Sequence, residues 1–356
     1  MRYIIDISQA QAKQIEALIE KQRYESVNQF ISVAIENQLH IEKTDISKPE
    51  DESGAKKKPF IKKKFHDTRG FPEEEIEIFL PIPDELPKPV TPPIFSDLAS
   101  CQNNIMEEKC WMWGQINRIF PVKLALRFLL NKIASGQWIE LEKFKEEAAK
   151  IAIEVGKAIK SYEEEKNKKR DDKISAGLPR ISEDQFKSLT RYKAHFIGSL
   201  RKDGKLDGAM PFLRFANFMK DDKSKVLIGI TEAGYEFARL ENPVIDLKNY
   251  ENSFGQLEID FYLNHVYKNV KGEFNAIKWL LNKMINGISD RTALNNEIGR
   301  EFGEVWGSSD AVINTQRAGL MSRMSELGLI DKEKEGIQVR YSISEKGKDF
   351  LERYGK

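Results

Sequence analysis

The chain has 356 residues, of which 40% are hydrophobic and 32% charged, with a formal net charge of +1, and this composition is typical of a soluble, mostly helical protein of two or three domains. No apolar run reaches the roughly 18 residues of a membrane span, and the amino terminus lacks an export leader, so we expect a cytoplasmic protein without a membrane partner. Two cysteines and four scattered histidines indicate neither a disulfide scaffold nor a metal site, and we expect no cofactor.

The first forty residues predict a strand followed by two helices. Arg2–Ser8 is rich in β-forming residues, an amphipathic helix runs to about Lys21, and Ser26 is placed to cap a second helix. The run Tyr24-Glu-Ser-Val-Asn-Gln-Phe-Ile31 resembles the ribbon-helix-helix family, the Arc, MetJ and CopG type of repressor. The resemblance covers residues 1–43.

This resemblance implies an obligate homodimer, because a forty-residue unit buries too little core alone. In that family two chains pair their strands antiparallel and place them in the major groove of DNA. The expected dimer interface consists of inward strand residues and one face of the second helix: Tyr3, Ile5, Ile7, Phe30, Ile31 and Ala34. The expected DNA contacts are the outward strand residues and a phosphate-binding helix start: Arg2, Ile4, Asp6, Ser26 and Asn28. A dimerisation clip without strong DNA contact is the alternative, since Ile4 contacts only thymine methyl groups.

Residues 44–98 have the composition of a flexible linker. A basic cluster at Lys56–Lys64, an acidic cluster at Glu73–Glu77 and six prolines between Pro81 and Pro93 favour extended chain. The lysines would add sequence-independent attraction to phosphates. The alternative is a solvated, charged tether without a binding role.

The rest of the chain contains an internal repeat, which appears as three matches in the same order. Residues 126–136 match 277–287, residues 186–207 match 310–331 without a gap, and residues 225–239 match 338–352. A chance similarity would not recur three times in register. We therefore predict two copies of one small domain, at 99–245 and 255–356.

The second copy predicts three helices, a hairpin and a closing helix. The helices cover 274–285, 291–302 and about 309–327, a turn falls at 333–336 between two strands, and Ser344 opens the last helix. This order, with the phrases Glu326-Leu-Gly-Leu-Ile330 and Ile343-Ser-Glu-Lys-Gly347, resembles the winged helix-turn-helix superfamily. The first copy has the counterparts Lys202-Asp-Gly-Lys-Leu206 and Ile230-Thr-Glu-Ala-Gly234, with a longer second helix and a longer wing.

The predicted fold class is therefore mainly α with short β, a ribbon-helix-helix followed by tandem winged helices. The superfamily implies that the third helix of each copy enters the major groove and that the wing contacts phosphates. The expected DNA-binding residues are Thr190, Arg191, Lys193, Lys223 and Lys225 in the first copy, and Asn314, Thr315, Arg317, Ser322 and Arg340 in the second. Three phenylalanines of the longer wing, Phe212, Phe215 and Phe218, are interpreted as local core.

The charges support DNA binding by the first copy more than by the second. Residues 119–240 carry 25 basic and 18 acidic groups, whereas residues 258–356 carry 15 of each. No phosphate-binding loop, hydrolase elbow or zinc-protease motif is present, so no enzyme is expected. The sequence favours a nucleoid-associated, sequence-specific double-stranded DNA-binding protein, a dimeric transcriptional repressor or autoregulator. The alternatives are a centromere-binding DNA segregation protein and a protein-interaction scaffold.

Overall fold

The computed structural model describes residues 80–83, 87–99, 106–133, 136–169, 173–180, 185–335 and 338–354, together with Val27. The chain divides into two compact units, Met1–Glu73 and Glu74–Lys356. The residues predicted for the ribbon-helix-helix lie outside the described ones: Arg2, Tyr3, Ile4, Ile5, Asp6, Ile7, Ser26, Asn28, Phe30, Ile31 and Ala34. The described chain is mainly helical with short strands in small sheets, which confirms the coarse prediction of a mainly α chain with short β-strands.

The first repeat alternates helices with short strands. Its helices are α1 (Phe120–Ile133), α2 (Leu141–Glu165), α3 (Gln185–Arg191, continued by a π-helical turn over Tyr192–Ile197), α4 (Ala209–Phe212) and α5 (Glu232–Arg239). Its strands are β1 (Ile139–Glu140), β2 (Ser199–Leu200), β3 (Leu206–Asp207), β4 (Ala216–Lys220) and β5 (Val226–Ile230).

The second repeat begins with an additional helix and, among the described residues, has no strand between its next two helices. Its helices are α6 (Gln256–Asn269), α7 (Lys271–Ile285), α8 (Arg291–Trp306), α9 (Asp310–Glu326) and α10 (Glu345–Tyr354), and its strands are β6 (Ile330–Glu335) and β7 (Gln338–Ile343). The predicted turn at 333–336 begins too early, because β6 extends through Glu335.

Each repeat contains antiparallel strands paired in a hairpin. In the first repeat β1, β5 and β4 form an antiparallel sheet in the order β1-β5-β4, so the short strand between α1 and α2 pairs with the last strand. In the second repeat β6 and β7 form a two-stranded hairpin. A separate hairpin, β2-β3, interrupts the first repeat and has no counterpart in the second.

The turn that follows α4 in the first repeat matches the turn that follows α9 in the second. Three backbone hydrogen bonds close this turn, donated by Leu213, Arg214 and Phe215 in the first copy and by Leu327, Gly328 and Leu329 in the second. The middle residue has a positive φ in both, 57° at Arg214 and 70° at Gly328. Arg214 is therefore the structural counterpart of Gly328.

This correspondence corrects the gap-free match of residues 186–207 with residues 310–331. The match holds along the helix to Ile197, but residues 198–207 are an insertion that contains β2 and β3. A Cβ added at Gly208 would lie 2.3 Å from the Cα of Gly198, so the insertion leaves and rejoins the helix at nearly one point. Lys202–Leu206 belongs to this inserted hairpin and is not the counterpart of Glu326–Ile330.

The closing helix is anchored by one arrangement in both repeats. The hydroxyls of Thr231 and Ser344 each accept a hydrogen bond from the backbone of the glycine three residues later, at 3.1 Å in both cases. A Cβ at Gly234 would lie 1.9 Å from the carbonyl oxygen of Phe215, and one at Gly347 would lie 2.3 Å from that of Leu329. Only glycine permits this approach, which explains the repeated Ser/Thr-Glu-x-Gly phrase.

The carboxyl-terminal part of the predicted flexible linker packs against the first repeat. Leu80, Val90 and Leu98 are buried, and the Val90 backbone donates a 2.9 Å hydrogen bond to the Ile230 carbonyl. Extended, proline-rich chain suits this role because it adds along the edge of a sheet without its own hydrogen-bond ladder. The linker prediction is therefore wrong for the described residues of 80–98.

The two repeats share one core across the predicted boundary at 245–255. Lys123 on α1 forms a fully buried ion pair with Glu258 on α6, with 2.8 Å between Nζ and Oε1. Arg127 on α1 makes a second pair with Asp246, 2.6 Å long. Burial lowers the pKa of Lys123 to about 8 and raises that of Glu258. These pairs fix the end of the first repeat against the start of the second.

Two further observations bear on the expectations from composition. Within the described residues, no helix combines the length and the apolar character needed to cross a bilayer. Cys110 is buried and disulfide-bonded, which the sequence did not indicate.

Candidate nucleic-acid interface

The third helix of the first repeat presents the predicted residues on its exposed side. Thr190, Arg191 and Ala194 are exposed, whereas the intervening Tyr192 and Phe196 are buried and hold the helix against the core. Phe186, at the start of the same helix, is 81% exposed. The sequence did not single out this phenylalanine, because one apolar residue at the start of a helix does not produce a helical periodicity.

The cations of this helix differ in how firmly they are held. The Arg191 guanidinium donates to the Gln115 carbonyl and to Asn117 Oδ1, both at 3.2 Å. Lys193 is half-buried and forms an ion pair with Glu146 of α2. Arg191 therefore keeps an unneutralised charge at the surface, and Lys193 contributes much less to the local potential.

The β4-β5 hairpin carries the predicted wing lysines. Lys220, Lys223 and Lys225 are exposed near its tip, and Lys225 is paired with Glu140 of β1 at 3.0 Å. Phe212, Phe215 and Phe218 are buried beneath the hairpin, as the interpretation of local core predicted. The Phe218 ring lies 3.2 Å from a Cβ built at Gly198, so β4 packs against the residue that follows the π-helical turn.

Helix α9 presents only part of the predicted face in the second repeat. Asn314 and Ala318 are exposed, and Thr315 and Ser322 are half-buried. Arg317 is only 8% exposed, and its Nε donates to Asn295 Oδ1 of α8 at 2.8 Å. The prediction that Arg317 points outward is wrong, because helical periodicity cannot anticipate a partner on the neighbouring helix.

The segment of residues 110–119, which precedes α1, covers one side of α9. A Cβ at Gly319 would lie 2.2 Å from the carbonyl oxygen of Gly114, so the two backbones are in contact. Arg323 binds the Ile116 carbonyl at 2.7 Å and forms a buried pair with Glu273, 2.8 Å from Nε to Oε1. This segment, assigned to the first domain from the sequence, is held by the second repeat.

The covering segment contacts the third helices of both repeats. Arg191 of α3 contacts Gln115 and Asn117, and Arg118 donates to the Ser322 carbonyl of α9 at 3.0 Å. The exposed polar residues of both helices therefore border residues 115–118. Gln115 and Asn117 were not predicted, since nothing in the sequence marks a loop that lies between two distant helices.

The second hairpin also contributes cations beside α9. Arg340 is exposed and Lys332 is half-buried. Arg291, at the start of α8, lies with Arg317 and Lys332 around a pocket between α9 and the hairpin. Arg291 was not predicted, because a charged residue at the start of a helix is usually only solvated.

The described residues contain no group of three or more His, Cys, Asp or Glu side chains arranged to hold a metal ion. His195 on the π-helical turn is half-buried, and burial, followed by the charge of Arg191, lowers its pKa. His195 is thus neutral at physiological pH and adds polarity but no charge beside the third helix.

No protein-family model, curated protein or solved structure matches the chain.

Proposed function

We propose that the protein is a sequence-specific double-stranded DNA-binding protein, a dimeric transcriptional repressor or autoregulator built from a ribbon-helix-helix and two winged helices. The dimer and the ribbon-helix-helix rest on the sequence of residues 1–43 alone. The tandem winged helices have structural support, and the first repeat carries the argument.

One observation carries the proposal: the first repeat combines a β1-β5-β4 sheet with a third helix whose exposed side bears Arg191. A strand between the first two helices that pairs with the last strand is the order of elements expected of a winged helix. The end of the third helix lies beside β4, since a Cβ at Gly198 would be 3.2 Å from the Phe218 ring, and the hairpin carries exposed lysines near its tip. A helix of this width fits the major groove, and Arg and Thr side chains hydrogen-bond base edges there.

The charges of the first repeat favour the same partner. Residues 119–240 carry seven more basic than acidic groups, from the counts of 25 and 18. An excess of this kind attracts the phosphate backbone and makes affinity depend on salt. The neutral second repeat contributes a smaller open surface, because residues 110–119 cover one side of α9.

The test is duplex binding by the full chain to sequences selected from a random library, followed by fluorescence anisotropy at several salt concentrations. We expect binding that weakens steeply with salt, and we expect Arg191→Glu with Lys223→Glu to reduce it by more than about tenfold. Lys157→Glu is the matched control, since this exposed lysine of α2 is paired with Glu154. Absence of duplex binding at low salt would refute the proposal, as would equal losses in the control.

A further inference from the structure

A small cationic pocket lies between α9, the β6-β7 hairpin and the start of α8. Its volume is about 190 Å³. The polar groups of its wall are three cations and three hydroxyls: Arg291, Arg317, Lys332, Ser322, Ser325 and Tyr341. No carboxylate is part of this wall. The pocket thus offers donors from several directions and no negative charge.

Arg317 at the wall of this pocket is a buried charge without a counter-charge. It is 8% exposed, and the groups around its guanidinium are neutral: Asn295 at 2.8 Å, Asn314 at 3.5 Å and the Tyr341 hydroxyl. Burial and the charge of Arg291 both lower its pKa. A buried cation is costly unless an anion compensates it. Among the described residues, the charged and titratable groups that act on Arg317 are Tyr341 and Arg291, and no carboxylate is among them.

Other buried cations of the same chain are compensated. Arg323, one helical turn and a half further along α9, pairs with Glu273. Arg127 pairs with Asp246. The counterpart of Arg317 in the first repeat is Lys193, which pairs with Glu146. Lys193 has a carboxylate partner on the neighbouring helix, whereas the partner of Arg317 on its neighbouring helix is the neutral Asn295.

We propose that this pocket binds a phosphoryl group, held by Arg317 and Arg291 with Ser322 as a hydroxyl donor. A tetrahedral anion with several acceptor oxygens suits converging guanidinium and hydroxyl donors better than a planar carboxylate with two. The group comes either from a phosphate of a DNA strand, in which case the inference deepens the proposed function and rests on it, or from a free phosphorylated small molecule. In both cases Arg317 binds a phosphate and does not read guanine.

The first arm of the test measures inorganic phosphate binding to the full chain by phosphorus NMR titration. We expect binding that Arg317→Gln weakens by roughly tenfold to a hundredfold, the usual worth of a charge-assisted hydrogen bond. Arg291→Gln gives a second variant in case the first disturbs folding, because Arg291 is exposed. Arg300→Gln is the matched control. Arg300 lies on α8, as Arg291 does, but it is 66% exposed and paired with Glu297 and Glu301.

The second arm identifies the source of the phosphoryl group. Duplexes in which single phosphates are replaced by neutral methylphosphonates are tested against the unmodified chain and Arg317→Gln. If one replacement weakens the unmodified chain and leaves Arg317→Gln unaffected, the pocket takes a DNA phosphate. If the variants lose affinity for inorganic phosphate but bind every duplex as tightly as the unmodified chain does, the pocket binds a free phosphorylated molecule.

The inference is overturned if Arg291→Gln and Arg317→Gln match Arg300→Gln in both arms. That result is distinct from failure of the proposed function, because duplex binding by the unmodified chain is measured in the same experiment. A chain that binds inorganic phosphate but no duplex would refute the proposed function and support the pocket.

Discussion

Gly114 and Gly319 are in backbone contact, because a Cβ at Gly319 would come within 2.2 Å of the Gly114 carbonyl oxygen. One residue belongs to the segment before the first repeat and the other to the third helix of the second. Their approach seats residues 110–119 on α9, where Arg323 then reaches the Ile116 carbonyl. The pair of glycines thus joins the two repeats.

We predict that Gly319→Ala destabilises the chain. The added methyl group would meet backbone atoms that cannot move aside, and overpacking of this kind costs about 1–3 kcal/mol. Gly303→Ala on α8 is the control, since the nearest atom to its Cβ would be 3.9 Å away, and it should stabilise by about 0.5–1 kcal/mol. Urea unfolding measures both. Equal stabilisation by the two variants would contradict the contact.

The buried pair of Lys123 and Glu258 should be expensive to break. Lys123→Met would leave Glu258 charged in a dry site, and removing one partner of a buried pair costs about 3–5 kcal/mol. Lys132→Met is the control on the same helix, because Lys132 is 45% exposed in its pair with Glu147 and surface pairs contribute at most about 1 kcal/mol. Thermal or urea unfolding compares them. Similar losses in both variants would mean that the buried pair does not join the repeats.

His265 on α6 should make stability depend on pH. Its Nε2 lies 2.7 Å from the Leu213 carbonyl, and burial lowers its pKa to about 4, below the usual value near 6.5. Between these values the unfolded chain binds a proton and the folded chain does not. Stability is therefore lost as pH falls from about 6.5 to 4, by about 3 kcal/mol.

The pH dependence of the unfolding free energy is compared between the unmodified chain and His265→Gln. This comparison separates the contribution of His265 from that of other titrating groups. Glutamine can still donate to the Leu213 carbonyl, so the variant should fold and show a flatter dependence of unfolding free energy on pH. Identical slopes for the two proteins between pH 4 and 6.5 would rule out a buried neutral histidine.

Excision of residues 198–207 should leave a folded protein with a continuous third helix. The backbones of Gly198 and Gly208 are already in contact. After the excision Ile197 can therefore be bonded directly to Gly208, as Met321 is bonded to Ser322 in the second repeat. We expect the free energy of unfolding to fall by about 2 kcal/mol, because the buried side chain of Leu206 is lost, and we expect circular dichroism to show that helix content is retained.

Excision of 203–212 is the control. It is equally long but out of register, removes α4 and should prevent folding. Failure of the first deletion would contradict the insertion.

The sequence identified what is repeated but not where the copies diverge. Gly204 and Gly328 both have a positive φ, at 82° and 70°, so the gap-free match paired two turn glycines of different turns. The true counterpart of Gly328 is Arg214, a residue type that seldom adopts this conformation. Only backbone hydrogen bonds distinguish the two possibilities.

The candidate site was predictable where it depends on the periodicity of a single helix. Thr190 and Asn314 are exposed as their positions in α3 and α9 predict. Arg317 is not, because Asn295 on another helix binds it, and periodicity carries no information about contacts between elements. The same limit hid Gln115, Asn117 and Arg291, which reach the surface beside the third helices only through tertiary packing.

The seating of residues 110–119 on α9 determines how this chain can be divided. A fragment that starts at the second repeat would lack Trp111, which packs 4.6 Å from the ring of Phe302, and would leave the Arg323–Glu273 pair open to water. Such a fragment would expose an apolar groove and would tend to aggregate. A truncation intended to isolate the carboxyl-terminal half should therefore retain the chain from about residue 106, and with it the whole of the first repeat.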